Sequence, residues 1–202
     1  MAGILLIDDE RIVRETLGKL LRAEGYVVHT ARNGKTALAL FSEKRPELVL
    51  LDVMMPSMDG YAVCEEMRRI DREVPIVFLS ALGSDASQIR GLEAGADDYV
   101  PKSASKSLLL ARIKKAIERA DRFSRMDAPS SFTKVEADIY RVLDSERGRY
   151  FSYDELFAAV YGAGYLADEC VMRVHICNMR KKLKSGEAIK AQRGKGFTLI
   201  EE

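Results

Sequence analysis

"PELVLLDVMMPSMDG", residues 46–60, runs Leu48, Val49, Leu50 and Leu51 together and then stops on Asp52. A strand with one wet face alternates apolar and polar residues, so an unbroken branched run fits a strand covered on both faces. Pro56 and Gly60 follow as turn residues that end it. Asp52 is then a cap, a ligand or a nucleophile, and the rest of the chain has to decide which.

Working outward, the first 120 residues repeat this theme. "GILLID" (3–8), "YVVHT" (26–30), "PIVFLS" (75–80) and "DDYVP" (97–101) read, with "ELVLLD" (47–52), as short strands rich in Val, Ile and Leu. Helix-like segments separate them, at about 10–23, 34–44, 59–70, 84–94 and 105–122, with apolar residues recurring at three and four, as in Ile12, Val13, Leu17, Leu20 and Leu21. Strands alternating with helices predict an α/β fold: a doubly wound, five-stranded parallel sheet covered on both faces.

Composition narrows the class. The 202 residues are 47% apolar and 31% charged with a formal charge of +1, ordinary values for a globular chain whose bulk charge names no partner. No run approaches the roughly 18 apolar residues of a membrane span, and "AGILLIDDE" after Met1 lacks the layout of a secretory signal. Cys64, Cys170 and Cys177 make an odd number without CxxC spacing, which fits a reducing, cytoplasmic setting. The expectation is a cytoplasmic protein with no membrane partner.

In doubly wound sheets ligands bind beyond the carboxyl ends of the strands. There this chain places Asp8 and Asp9, Asp52, Ser80, and Lys102 just past the fifth strand. Carboxylates gathered at one edge repel one another, and a hard divalent cation such as Mg²⁺ relieves the repulsion. A hydroxyl and an ammonium beside one carboxylate suit the oxygens of a phosphoryl group. Taken singly each residue has a plainer reading: Asp8 to Glu10 as acids at a helix start, Asp52 as a turn residue. Their shared position at the strand ends favours a site.

The motifs "LLIDDE", "LVLLDVMMPSMDG", "FLSA" and "GADDYVPK" resemble the receiver domain of two-component response regulators, over residues 1–122. Carried over residue by residue, the resemblance implies that Asp52 accepts a phosphoryl group from a phosphohistidine on a sensor histidine kinase. Asp8 and Asp9 would hold Mg²⁺ together with Asp52 and the backbone carbonyl of Met54. Ser80 would bind a phosphoryl oxygen, Tyr99 would be the aromatic switch that follows it inward, and Lys102 would pair with the phosphoryl group. The order Pro101-Lys102-Ser103-Ala104 departs from the family's usual Lys-Pro with its cis bond. A cis bond before Ser103 costs about 3 kcal/mol, against under about 1 before proline, so the approach of Lys102 is open. Glu93, Asp97, Asp98, Arg112, Lys114 and Arg119 match the family's activated-dimer face, which implies a homodimer through helices 84–94 and 105–122. Gln88 and Leu108 stand where a basic–acidic pair is expected.

"RFSRMDAPSS" (122–131) breaks the pattern, and residues 123–131 read as a linker to a second domain, 132–202. Thr133 with Glu136, and Ser152 with Glu155, have capping-box spacing. A longer helix is expected from about Asp168 to Lys184, then a β-hairpin around Arg193-Gly-Lys-Gly. Residues 170–195 carry eight basic residues against Glu187 alone, whereas 132–169 carry four against eight acids. A basic helix followed by a basic hairpin is a footprint for phosphates. Met172, Ile176, Met179 and Leu183 form an apolar stripe beside Arg173, Cys177, Arg180 and Lys184.

"FTKVEADIYRVL", "FSYDELFAAVYG", "VMRVHICNMRKKL" and "AIKAQRGKGFTL" resemble the OmpR/PhoB-type winged helix. The resemblance makes 169–184 the recognition helix on double-stranded DNA. Its contacts would come from Arg173, His175, Cys177, Asn178, Arg180, Lys181 and Lys184, with Arg193 and Lys195 in the wing. His175 reads equally as a packed helix residue, and Cys177 as an inert small one. About ten residues separate Arg122 from Thr133, too few for the four-stranded sheet that the family places there.

The expected function is therefore a DNA-binding transcriptional regulator activated by phosphorylation of Asp52. One alternative keeps DNA binding and makes the receiver a constitutive dimerisation module, independent of phosphorylation. Another is a hydrolase with Asp52 as nucleophile, disfavoured because Met54 stands where haloacid-dehalogenase-like phosphatases have a second acid.

Overall fold

The computed structural model describes residues 2–56, 59–80, 90–122, 131–162 and 169–201, and the chain divides into two compact units, Met1–Ser124 and Arg125–Glu202. The first unit contains β1 (Gly3–Ile7), α1 (Arg11–Ala23), β2 (Val27–Ala31), α2 (Gly34–Lys44), β3 (Leu48–Asp52), α3 (Gly60–Ile70), β4 (Ile76–Ser80), β5 (Asp98–Pro101) and α4 (Lys106–Arg122). Its strands are all parallel, in the order β2-β1-β3-β4-β5. The chain steps outward from β1 on both sides, so the crevice between β1 and β3 is the topological switch point.

Side-chain alternation along each strand divides the core into two layers. Leu5, Ile7, Val49, Leu51, Ile76, Phe78 and Tyr99 pack with Phe41 of α2 and Met67 of α3. Ile4, Leu6, Leu48, Leu50, Val77, Leu79 and Val100 pack with Leu21 of α1 and Leu109 and Ile113 of α4. Every residue of β3 is buried, which explains its unbroken apolar run. Pro101 closes β5 at the edge of the sheet, where its missing N–H breaks no interior ladder.

The second unit contains α5 (Lys134–Ser145), α6 (Tyr153–Tyr161), α7 (Glu169–Arg180) and the antiparallel pair β6 (Glu187–Gln192) and β7 (Gly196–Glu201). Both expected capping boxes are present: Thr133 with Glu136 opens α5, and Ser152 with Glu155 opens α6. A single bridge from Phe151 to Phe197 ties the start of α6 to the hairpin.

Two expectations need correction or restriction. The helix expected to reach Lys184 ends at Arg180, where Lys182 donates its N–H to the Met179 carbonyl three residues back, the tighter bond of a closing turn. Lys182 Nζ there sits 2.6 Å from the buried Glu136 carboxylate of α5 and ties this turn to that helix. Of the helix expected at 84–94, residues 90–93 are helical and 84–89, with Gln88, lie outside the described residues. Linker residues 123–130 also lie outside them.

Candidate functional site

Register alone brings the first two carboxylates together. Ile7 pairs with Leu51, so Asp8 and Asp52 each stand one step beyond, on adjacent strands at the switch point. Ser80 ends the next strand opposite Pro101, and Lys102 follows with its N–H donating to the Ser80 carbonyl at 2.7 Å. One ligand oxygen each from Asp8, Asp9 and Asp52 lies within 4.8 Å of the others. Asp8 and Ser80 are fully buried and Asp52 is 1% exposed.

The surrounding backbone holds this geometry. Asp8 Oδ1 accepts from the Glu10 N–H at 2.8 Å, and Asp52 Oδ1 from the Met54 N–H at 3.2 Å. Arg14, a residue the sequence did not single out, donates to the carbonyls of Asp8 (2.6 Å) and Asp9 (2.8 Å) and clamps the acidic turn from α1. After Met54 the chain folds back, so that the Gly60 N–H reaches the Val53 carbonyl. A Cβ on Gly60 would stand 2.2 Å from the Asp52 carbonyl oxygen, which explains why glycine opens α3.

Lys102 supplies the positive charge. Its Nζ is 2.8 Å from Asp8 Oδ2, 3.0 Å from Asp52 Oδ2 and 3.3 Å from Glu10 Oε1. The described residues contain no cis peptide bond, so Lys102 reaches the cluster through a trans bond to Ser103. Burial pulls the Lys102 ammonium down, but hydrogen bonds to Asp8 and Asp52 outweigh it and hold the group well above the ordinary lysine value. Burial pushes the Asp52 carboxyl up, and the Asp8 charge adds to this, while hydrogen bonds from Lys102 and the Met54 N–H oppose it. A hard divalent cation fits this donor set: three close carboxylates face one ammonium, leaving an excess of negative charge.

Removing the ammonium tests that balance. Lys102→Ala leaves two buried carboxylates facing each other, and breaking such a pair costs about 3 kcal/mol. Urea unfolding without metal is expected to show that loss, and saturating Mg²⁺ is expected to restore more stability to the variant than to the parent.

In the second unit a cleft of about 860 Å³ opens between the start of α6, α7 and the β6–β7 turn. Arg173, Arg180, Arg193 and Lys195 line it. Between Val171 and Met179, α7 exposes Arg173 and Cys177 and buries the other residues. Lys181 and Lys184, in the turn after α7, are also exposed. His175 and Asn178, expected on the DNA face, are placed elsewhere. His175 is 1% exposed, with its ring 3.3 Å from the Tyr161 hydroxyl, and Asn178 is 6% exposed. Neither side chain reaches solvent where a groove could meet it. Arg180 donates from Nε to the Ile189 carbonyl and so ties the helix end to the hairpin.

The expected dimer face also changes. Asp97 is buried, accepting from Arg68 Nη2 (2.5 Å) and from the Ile76 N–H (2.8 Å), so it serves the core and not an outer face. Asp98 pairs with Arg112 of the same chain at 2.7 Å. Glu93, Lys114 and Leu108 are exposed, and the side chain of Arg119 lies outside the described ones. Tyr99 is 5% exposed, packed in the α2–α3 layer.

With this geometry in view, comparison with known proteins is decisive. Residues 4–114 match the family described as "Response regulator receiver domain", and residues 127–199 match "Transcriptional regulatory protein, C terminal". The chain belongs to the OmpR/PhoB-type response regulators. It is similar to a probable transcriptional regulator ycf27 of Porphyra purpurea, with 37% identity over 226 aligned positions covering 96% of this chain and 93% of the relative. It is also similar to the response regulator MprA of Mycolicibacterium vanbaalenii, with 34% identity covering 98% of this chain and 97% of that one. Both alignments are longer than this response regulator itself, so the relatives carry residues that it lacks. The BeF3-activated receiver domain of Klebsiella pneumoniae RstA is 33% identical and covers 57% of this chain and 97% of its own, with a TM-score of 0.55. No helix among the described residues of the regulator is long and apolar enough to cross a membrane.

Proposed function

We propose that this response regulator controls transcription by accepting a phosphoryl group on Asp52 and binding double-stranded DNA through α7 and the β6–β7 turn. The observation that carries the reading is the convergence of Asp8, Asp9, Asp52 and Lys102 at the switch point of a parallel sheet. In the transfer an Asp52 carboxylate oxygen attacks phosphorus, and the bond from phosphorus to the donor imidazole nitrogen breaks. The leaving imidazole keeps the bonding electron pair and is neutralised by a proton. Asp8, Asp9, Asp52 and the Met54 carbonyl would hold Mg²⁺, which shields phosphoryl charge when bound. Lys102 pairs with a phosphoryl oxygen, Ser80 donates to another, and Tyr99 follows Ser80.

A donor histidine has to be brought to Asp52 by a docked protein. Beside Lys102 lies a largely apolar groove of about 290 Å³, lined by Val13, Leu17, Pro101 and Leu109 and rimmed by Ile12, which is 78% exposed. This surface suits the sensor histidine kinase. Homodimerisation would use α4 and the segment before β5, where Leu108 and Lys114 are exposed. Among DNA contacts we retain Arg173, Cys177, Arg180, Lys181, Lys184, Arg193 and Lys195.

The test is duplex binding by the full chain with and without Mg²⁺ and beryllofluoride, a phosphoryl mimic. Tighter binding to a selected duplex on their addition is expected. Equally tight binding in their absence favours the alternative, a constitutive DNA-binding regulator.

A further inference from the structure

Among the exposed cations of the α7 cleft, Arg173 is placed against both a ring and a carboxylate, whereas Lys195 lies over the Tyr150 ring, 5.8 Å from its centroid. Its guanidinium lies 5.5 Å above the Tyr153 ring, within cation–π range. The ring is itself fixed edge-on against Phe197 of β7, with centroids 5.2 Å apart at 83°. Glu169, one turn earlier on α7, places Oε2 3.4 Å from Arg173 Nη2. Arg173 is thus held by a ring and a carboxylate at the N-terminal half of the helix, where recognition helices meet base edges.

The carboxylate distinguishes two uses of this arginine. A phosphate brings a full negative charge, which Glu169 repels, and the Arg173–Glu169 pair has little net charge to offer it. A base edge is neutral, so the repulsion is absent and the planar fork keeps N–H donors to spare. Guanine presents two acceptors, N7 and O6, spaced for that fork in the major groove. Arg193 and Lys195, at the tip of the turn, lie in the same cleft, where Glu169 is the acid among the described lining residues. They suit phosphates. Cys177, exposed one turn after Arg173, is neutral and adds no competing donor fork.

The geometry points to Arg173 as the residue that reads a guanine where α7 meets the major groove, with Tyr153 and Glu169 as the positioning residues that hold its guanidinium and steer it away from phosphate. The assignment rests on the DNA-binding reading above and extends it to a base.

The test uses the full chain with Mg²⁺ and beryllofluoride and a random-sequence duplex library, followed by affinity against salt for the selected duplex. The parent is expected to select a fixed G·C pair for each copy of the chain bound to the duplex. Arg173→Ala is expected to lose that preference, weakening binding to the selected duplex roughly tenfold to a hundredfold while keeping the other positions and the salt slope. Tyr153→Leu is expected to cut discrimination at the same position, and Tyr153→Phe to keep it, since the stacking ring remains. Glu169→Gln is expected to strengthen binding to unrelated duplexes. Retention of the guanine preference by Arg173→Ala overturns the assignment. So does a uniform loss on all sequences with the salt slope falling by about 0.9, the signature of a phosphate contact. If the parent retains no duplex at all, the DNA-binding reading falls along with it.

Discussion

Asp52→Asn is expected to abolish phosphoryl labelling by a small-molecule phosphodonor while making the metal-free protein more stable. The two outcomes have one cause. Burial raises the Asp52 carboxyl above its unfolded value, so the ionised group costs stability at neutral pH. That cost is present above the folded pKa and is relieved as pH falls through it, when the native state takes up a proton. Asparagine keeps the shape and removes the charge, and Lys102 keeps Asp8 as its partner. A melting temperature raised by a few degrees corresponds to a gain on the order of 1 kcal/mol. Parent and variant are expected to converge toward low pH, and the variant's response to Mg²⁺ should be much weaker. A stable protein that no longer takes label separates loss of the acceptor from loss of the fold.

Gly196→Ala is expected to be among the most damaging single substitutions in the second unit. Gly196 has φ +106, a region that side chains other than glycine avoid, and an added Cβ would stand 1.9 Å from the Phe151 carbonyl oxygen. That atom is main chain and belongs to the Phe151–Phe197 bridge, so no rotamer change relieves the clash. The hairpin must shift or separate from the start of α6, at a cost above about 4 kcal/mol. Duplex binding is expected to vanish and amide protection in β6 and β7 to collapse. Mg²⁺ binding at the acidic cluster, built from residues of the other unit, is expected to be unchanged. Normal hairpin protection in the variant would contradict this account.

Much of the first unit was legible because each signal is local. Branched apolar runs marked the strands, and the acids at their ends needed only a parallel sheet to be brought together. The Gly60 requirement was half visible: a glycine after the loop was plain, but its cause is the close approach of the Asp52 carbonyl, a contact between elements. Arg14 and the buried Arg68–Asp97 pair were not legible, since each depends on a partner set by tertiary packing. Asp97, in the bend before β5, reads as a surface charge from the sequence, and it is Arg68 of α3 that makes it part of the core.

In α7 the helical period itself decides which side chains are buried. His175 stands three residues after Met172 and four before Met179, both fully buried, so the same periodicity that exposes Arg173 and Cys177 puts His175 inside. Lys182 adds to the positive charge of 170–195 but stands outside the expected DNA contacts. Its pairing with the buried Glu136 could not be read from spacing, because the capping box of α5 already explained that glutamate.

The most direct measurement is the location of the phosphoryl group in the parent protein. After incubation with acetyl phosphate and Mg²⁺, the aspartyl phosphate is reduced with borohydride and the peptides are read by mass spectrometry. The account predicts modification confined to Asp52 and lost when Mg²⁺ is chelated. Modification at another residue, or uptake indifferent to the metal, would contradict it.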